Sequence, residues 1–123
     1  MPMSYQILKD QRLVIVTTSG VIDLCEAIQF LDRMFNDPEY SLDDDLLWDD
    51  TERTSIFTYD DVRQMAQHFK YYKGDNPPKR AFVVSRSVKY GVTSVFSTLE
   101  SIKTHAQIGI FQDIKGALKW LKH

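Results

Sequence analysis

The sequence predicts an α/β fold in which a mixed, mostly parallel five-stranded sheet is covered by helices. Two observations support this prediction. Short runs of β-branched and aromatic residues alternate with longer segments of helical apolar periodicity, a pattern typical of parallel sheets. Helix-capping residues and loop residues separate the segments. The resulting order is β-β-α-β-α-β-α-β-α, and we interpret residues 1–123 as a single domain.

The opening segment predicts an antiparallel hairpin and a helix. Residues 5–8 and 13–16 form the two strands, joined by a tight turn. The second strand is apolar on both faces, as expected for a strand covered by helices. Asp23 and Glu26 then form a capping-box pattern, and the helix that follows ends before Pro38.

The middle of the chain predicts a third strand and a second helix. Residues 46–48 are a short apolar strand between acidic residues, and residues 51–57 are a polar loop. Thr58, with Asp61 three residues later, is an N-cap pattern. The helix that follows has one apolar face, formed by Val62, Met65, Ala66, Phe69 and Tyr72.

The last third predicts two more strands and two more helices. Residues 81–84 form the fourth strand, and Ser87 caps a helix that continues to residue 102. Residues 108–111 form the fifth strand, and Asp113 caps a short closing helix.

The composition excludes several classes of protein. Hydrophobic residues make up 43% and charged residues 26%, so a disordered chain is excluded. A single cysteine, Cys25, excludes a disulfide framework and a cysteine-based zinc site. No apolar run reaches membrane-spanning length and no signal-peptide pattern is visible, so we expect a cytoplasmic protein without a transmembrane segment.

The formal net charge of −2 conceals an uneven distribution. Residues 1–61 carry four basic and fourteen acidic side chains, whereas residues 62–123 carry eleven basic and three acidic ones. The two halves become neighbours in an α/β fold, so part of the imbalance should cancel. The charge that does not cancel predicts an acidic edge of the sheet beside a basic rim.

Three stretches of the chain resemble a known family. They are the hairpin with its capped helix, Ala81-Phe82-Val83-Val84-Ser85 with Tyr90-Gly91 and Phe96, and Ile108-Gly109-Ile110-Phe111-Gln112-Asp113 followed by Ala117-Leu118-Lys119-Trp120-Leu121. The last two stretches are similar to the A-V-V … Y-G … F segment and to the F-x-D turn and A-x-x-W-L helix of the bacterial SpoIIAA-like (STAS-like) family. That family is related to the STAS domain of anti-sigma-factor antagonists. By element order, the resemblance covers nearly the whole chain.

The resemblance implies a phosphoacceptor position at Thr58. STAS proteins carry a phosphorylatable serine at the start of the helix after the third strand. Here the residue before Thr58 is Phe57 instead of the family's aspartate, and no glycine follows. A helix N-terminus would favour an added phosphate, but Asp60 and Asp61 would repel it. The alternative is that Thr58 serves only as a helix cap.

The candidate partner or ligand surface lies at the carboxyl edge of the sheet, where open α/β sheets bind ligands. Phe57 can instead be a hydrophobic staple packed on Val62, and the aspartates there can be solvated loop acids. The candidate residues are Asp49, Asp50, Ile56, Phe57, Tyr59 and Ser85.

No catalytic, metal or cofactor constellation is visible in the sequence. Asp49, Asp50, Thr58 and Ser85 are similar to the acidic pocket of receiver domains, but the element order differs. His68, His105 and His123 lack metal-site spacing. Basic and aromatic residues concentrate around positions 70–89, but no nucleic-acid recognition motif accompanies them, so we expect a solvated rim.

Two function classes remain open. The first is a non-enzymatic regulatory or protein-interaction domain of the STAS type, with its partner surface on residues 51–59 and the second helix. The alternative is a small-ligand or lipid-binding module with an apolar pocket between sheet and helices, because STAS-type folds resemble CRAL-TRIO lipid-transfer domains. A homodimer is compatible with either class.

Overall fold

The strands lie across one sheet in the order in which they occur in the chain. The computed structural model describes residues 2–70, 72, 74–85 and 106–122. The first two strands are antiparallel, and every later neighbour is parallel. The strands are β1 (Met3–Leu8), β2 (Leu13–Gly20), β3 (Asp45–Arg53), β4 (Lys79–Val83) and β5 (Gln107–Phe111). The predicted α/β fold with a mixed, mostly parallel sheet is confirmed.

Three helices lie in the described part of the chain: α1 (Leu24–Phe35), α2 (Tyr59–Ala66) and α3 (Ile114–Leu121). A short 3-10 helix, Lys9–Gln11, replaces the predicted tight turn of the opening hairpin. The predicted helix over residues 87–102 lies outside the described residues. In the described ranges, none of the helices has the length and apolar character needed to cross a bilayer.

The predicted caps begin the helices as expected. Asp23 and Glu26 bond reciprocally to each other's backbone N–H, at 2.8 and 3.3 Å. Thr58 and Asp61 make the equivalent pair at the start of α2, at 3.1 and 3.0 Å. Asp113 caps α3 through one such bond. Each cap accepts from N–H groups that have no partner within their helix.

Helices cover the sheet on both faces. Since side chains alternate along a strand, β2 and β3 contribute to two separate clusters. The larger cluster lies under α1 and α2 and includes Val14, Val16, Phe30, Leu31, Leu46, Trp48, Val62 and Phe82. The smaller cluster lies under α3 and includes Leu13, Leu47, Ala81, Val83 and Ala117.

Two elements differ in length from the sequence interpretation. β3 extends to Arg53, because residues that read as a polar loop continue the parallel pairing with β2. The second helix ends at Ala66, yet Phe69 and Tyr72 remain buried. The apolar stripe therefore identified core residues beyond the helix itself.

Candidate functional site

A β-bulge shapes the carboxyl edge of the sheet. Thr17 pairs with Asp49, and Ser19 pairs with Glu52. One residue of β2, Thr18, therefore lies opposite two residues of β3. A bulge of this kind shifts the alternation of side chains on the strand that carries the extra residue.

The bulge places Asp50 and Arg53 on the same face of the sheet. In a regular strand, residues three apart point to opposite faces. Here both side chains lie on the face that carries Trp48, and both are buried, with exposures of 7% and 5%. The extra residue therefore creates a buried pair of opposite charges.

Asp50 is the acceptor of a buried polar cluster formed by Thr18, Trp48, Asp50 and Arg53, here named the Asp50 cluster. Its Oδ1 accepts from the Thr18 hydroxyl at 2.6 Å and from the indole Nε1 of Trp48 at 3.0 Å. Arg53 lies 3.2 Å from Oδ1 through Nε and 3.4 Å from Oδ2 through Nη2. A buried carboxylate needs such donors to offset the loss of its hydration.

Arg53 also connects the Asp50 cluster to the following loop. Its Nη1 donates to the backbone oxygen of Ser55 at 2.8 Å. Its guanidinium lies 4.8 Å from the centre of the Phe57 ring, within cation–π distance. The loop after β3 is therefore held against the sheet by one buried side chain.

A cavity of about 40 Å³ lies between the Asp50 cluster and the two helices. Of the residues that line it, Phe57 is half-buried and the others are buried. Within the described part of the chain, the cavity therefore opens beside Phe57. The lining residues are Met3, Thr18, Ile22, Ala27, Leu31, Trp48, Asp50, Arg53, Phe57, Val62, Met65 and Phe82.

Two loops meet above the cavity. The Thr54 N–H donates to the Gly20 oxygen at 2.9 Å, and the Ile22 N–H donates to the Ser55 hydroxyl at 3.2 Å. These bonds join the β2–α1 loop to the β3–α2 loop.

Large apolar side chains are exposed on these joined loops and the first turn of α2. Val21 is 76% exposed, Ile56 is 60% exposed and Tyr59 is 58% exposed. We name these three residues the apolar rim. Val21 adjoins Ile22 in the chain, and Ile56 adjoins Phe57, so the rim is next to the cavity wall.

The surroundings of the apolar rim are acidic. Exposed Glu52 and Asp60 lie outside the capping boxes, and Asp23, Glu26 and Asp61 take part in them. Within residues 20–26 and 52–63, Arg63 is the exposed basic residue. The described part of this edge therefore presents apolar side chains among carboxylates.

The structure places the sequence-predicted surface residues at this same edge. Asp49 is half-buried and accepts from the N–H and hydroxyl of Thr51, at 3.0 and 2.7 Å. Asp50 is buried, so the interpretation of a solvated loop acid is wrong for it. Ser85 is half-buried just after β4. Thr58 is exposed and caps α2.

Phe57 and Val62 line the same cavity, as expected for a hydrophobic staple at the start of α2. Thr18 and Val21 were not predicted at this edge, and Arg53 was predicted only as part of the partner loop of residues 51–59. Thr17-Thr18 directly after the apolar run could have indicated that the second strand continues to this edge, because β-branched residues favour strands. Nothing in the sequence indicates the bulge.

The prediction that the basic residues around positions 70–89 are solvated is wrong for Arg80. That residue is buried on β4, with its guanidinium 5.8 Å from the Phe35 ring centre and 5.4 Å from that of Phe69. Lys79 is half-buried and donates to the Trp120 oxygen at 3.0 Å. Other members of that rim, Tyr71, Lys73, Arg86 and Lys89, lie outside the described residues.

No metal-binding group of three or more His, Cys, Asp or Glu side chains occurs among the described residues. His68 lies 2.8 Å from Asp32 and links the end of α2 to α1. Cys25 is exposed and accepts from the Gln29 amide at 3.3 Å. His105 and His123 lie outside the described residues.

The opposite edge of the sheet carries a perturbed carboxylate. Asp37 follows α1 and accepts from the Tyr5 hydroxyl at 2.6 Å. This bond, helped by the Glu39 N–H, lowers the pKa of Asp37, and the same bond raises the pKa of Tyr5. Burial raises the pKa of Asp44 nearby.

A solved structure has a fold similar to that of this chain. It is an uncharacterised protein of the DUF3478 family from Shewanella loihica PV-4, described as having a SpoIIAA-like fold. The similarity covers 97% of this chain and 91% of that chain, with a TM-score of 0.55 and 16% sequence identity. The fold is SpoIIAA-like. The predicted SpoIIAA-like resemblance is thus confirmed at the level of fold, and at this identity the likeness shows the fold alone. No protein-family model and no curated protein matches the sequence.

Proposed function

We propose that this SpoIIAA-like chain is a non-enzymatic regulatory domain that binds another protein at the carboxyl edge of its sheet. The observation that carries the proposal is the apolar rim. Three large apolar side chains are more than half exposed on two loops that hydrogen bonds join and on the adjoining first turn of α2. Contiguous exposed apolar surface is typical of sites of protein interaction.

The support beneath the apolar rim favours binding. Gly20 and Ser55 accept hydrogen bonds that join the two loops, and Arg53 holds the second loop to Asp50. A surface fixed before binding loses little conformational entropy when a partner docks. The rim is therefore suited to a partner that meets it without rearrangement.

The partner is expected to carry basic residues around an apolar centre. Asp60, which follows Tyr59 of the apolar rim in the chain, is exposed and would attract such a surface. A symmetric contact between two rims of this chain would bring like charges together. We therefore propose a partner other than a second copy at this edge, and a homodimer through another face stays a prediction.

A non-enzymatic role is supported by how the candidate chemical groups are used. The Asp50 carboxylate accepts from Thr18, Trp48 and Arg53, so it is already neutralised by donors. The Thr58 hydroxyl accepts from Asp61 as a helix cap. A phosphate on Thr58 would have to replace that bond beside two carboxylates.

The alternative of a lipid-sized pocket is less well supported. Ligand pockets generally have volumes of about 300–1,000 Å³. The apolar cavity between sheet and helices in the described part of the chain measures about 40 Å³. That space suits one small group rather than a lipid.

The test is affinity capture from a lysate of the source organism, with bound proteins identified by mass spectrometry. The double variant Ile56→Ser with Tyr59→Ser removes two members of the apolar rim. Ile114→Ser is the matched control, because Ile114 is a 36% exposed apolar residue on α3 at the other face. Both variants should keep the wild-type melting temperature.

The proposal expects a specific partner to be captured by wild-type protein and by the Ile114 variant, and lost with the double variant. Capture that is unchanged in the double variant would place the partner surface elsewhere. Turnover of a small molecule that is lost on changing Asp50 or Thr58, in folded variants, would overturn the non-enzymatic role.

A further inference from the structure

We infer that the partner inserts one branched aliphatic side chain, flanked by basic residues, into the cavity beside Phe57. This inference rests on the proposed function and adds the chemistry of the partner's anchor. It follows from the volume of the cavity, the position of its entrance, the polarity of its wall and the charge around it.

The volume of the cavity selects the size of the anchor. The space is about 40 Å³, and a cavity needs roughly 10–15 Å³ to hold one water molecule. The cavity is therefore about the size of the three carbon atoms that a leucine side chain carries beyond its Cβ. An aromatic ring needs roughly twice as many, so it would have to displace the wall.

The entrance of the cavity lies within the proposed docking surface. Among the described residues that line the cavity, Phe57 is half-buried and the others are buried. It lies between Ile56 of the apolar rim and the cap Thr58 in the chain. A side chain that enters beside Phe57 therefore comes from a partner that already contacts the rim.

The wall of the cavity favours an uncharged anchor. Ala27, Leu31 and Val62 offer it apolar surface. The Asp50 carboxylate at the same wall is already engaged by donors of the Asp50 cluster. A charged tip would lose its hydration there without a new partner, so charge on the partner belongs outside the cavity.

The charge around the entrance defines the flanking residues. Asp60 is exposed in the first turn of α2, and the caps of α1 and α2 add the carboxylates of Asp23, Glu26 and Asp61 at the same edge of the sheet. Lysine or arginine beside the anchor would be attracted by these carboxylates. The probe for this inference is therefore the nonapeptide Gly-Ser-Lys-Arg-Leu-Arg-Lys-Ser-Gly, with a matched peptide that has alanine at its centre.

The readout is intrinsic fluorescence together with anisotropy of labelled peptide. Trp48 lines the cavity, and Trp120 is the second of the chain's two tryptophans. In the Trp120→Phe background, Trp48 alone reports whether the cavity is filled. The leucine peptide should bind on the order of 50-fold more tightly than the alanine peptide, because about three buried carbons are lost.

Filling the cavity from inside tests the same point without changing the surface. Ala27→Leu adds about three carbons from α1, and Val62→Ile adds one from α2 as a milder second variant. Thermal unfolding identifies which variants remain folded. Each folded variant should bind the leucine peptide more weakly, towards the affinity of the alanine peptide.

The outcomes separate this inference from the proposed function. Equal affinity for the two peptides, or a cavity-filling variant that keeps the full leucine preference, would overturn the anchor. Failure of the leucine peptide to bind the wild-type protein would also overturn the anchor. The proposed function is judged separately, by loss of captured partner in the Ile56→Ser with Tyr59→Ser variant, which leaves the cavity intact.

Discussion

Removing the carboxylate of Asp50 should be among the most destabilising single changes at the carboxyl edge. The Asp50→Ala variant leaves the Arg53 guanidinium buried without its carboxylate. It also removes an acceptor of the Thr18 hydroxyl and of the Trp48 indole N–H. Three buried donors each lose a bond to the same carboxylate in one substitution, which is why the effect should be large.

The expected loss is about 3–5 kcal/mol, the usual cost of breaking a buried ion pair by removing one partner. At roughly 4 °C per kcal/mol for a domain of this size, the melting temperature should fall by about 12–20 °C. Asp49→Ala is the control. Asp49 is half-buried and bonds to nearby Thr51, so its loss should cost about 1 kcal/mol or less.

Urea unfolding followed by circular dichroism measures both variants, and a double variant sharpens the test. Asp50→Ala with Arg53→Met removes the buried charge as well as its partner. It should be more stable than Asp50→Ala alone, since well-packed apolar replacement of a buried pair is often nearly neutral. Equal losses for Asp49→Ala and Asp50→Ala, or simple additivity in the double variant, would refute this account of the Asp50 cluster.

Three further substitutions test other parts of the fold by thermal or urea unfolding. Thr58→Ala should lose about 1 kcal/mol by removing the cap of α2, with Thr58→Ser close to wild type; equal losses would contradict the capping role. Gly109→Ala should cost about 1–3 kcal/mol, because the new Cβ would lie 2.7 Å from the Phe111 ring, and an unchanged stability would count against that packing. The bond from Tyr5 lowers the pKa of Asp37 in the folded state. Its contribution to stability is therefore fully present above the unfolded pKa of about 4, and it is lost as the pH falls through the folded pKa. The stability difference between wild type and Tyr5→Phe should therefore shrink on acidification, and a difference that stays constant down to pH 2 would exclude this linkage.

The alternation of element types could be read from the sequence because each type leaves a local pattern. The capping pairs at Asp23 and Thr58 located two helix starts to the residue. Gly109 and Trp120 of the family-like motif pack together. Because Gly109 has no Cβ, the rings of Phe111 and Trp120 can lie close to its backbone. These signals depend on neighbours in the chain or on spacing along one element.

The site could be placed only in part, because its geometry depends on pairing between strands. Ile56 and Tyr59 were placed on the surface and are exposed there. Asp50 and Arg53 appeared to follow a short strand in a polar segment. They are buried because β3 continues along β2 and carries an extra residue opposite Thr18, a feature with no local signature.

The β-bulge links the stability of the carboxyl edge to the proposed binding surface. Without the extra residue, Glu52 rather than Arg53 would share the face of Asp50, and two carboxylates would be brought together. With it, Arg53 neutralises Asp50 and at the same time bonds to the loop that carries Ile56. The same irregularity leaves Glu52 exposed, away from the face that carries Asp50. A single inserted residue therefore accounts both for the buried pair and for the loop that Arg53 holds against the sheet.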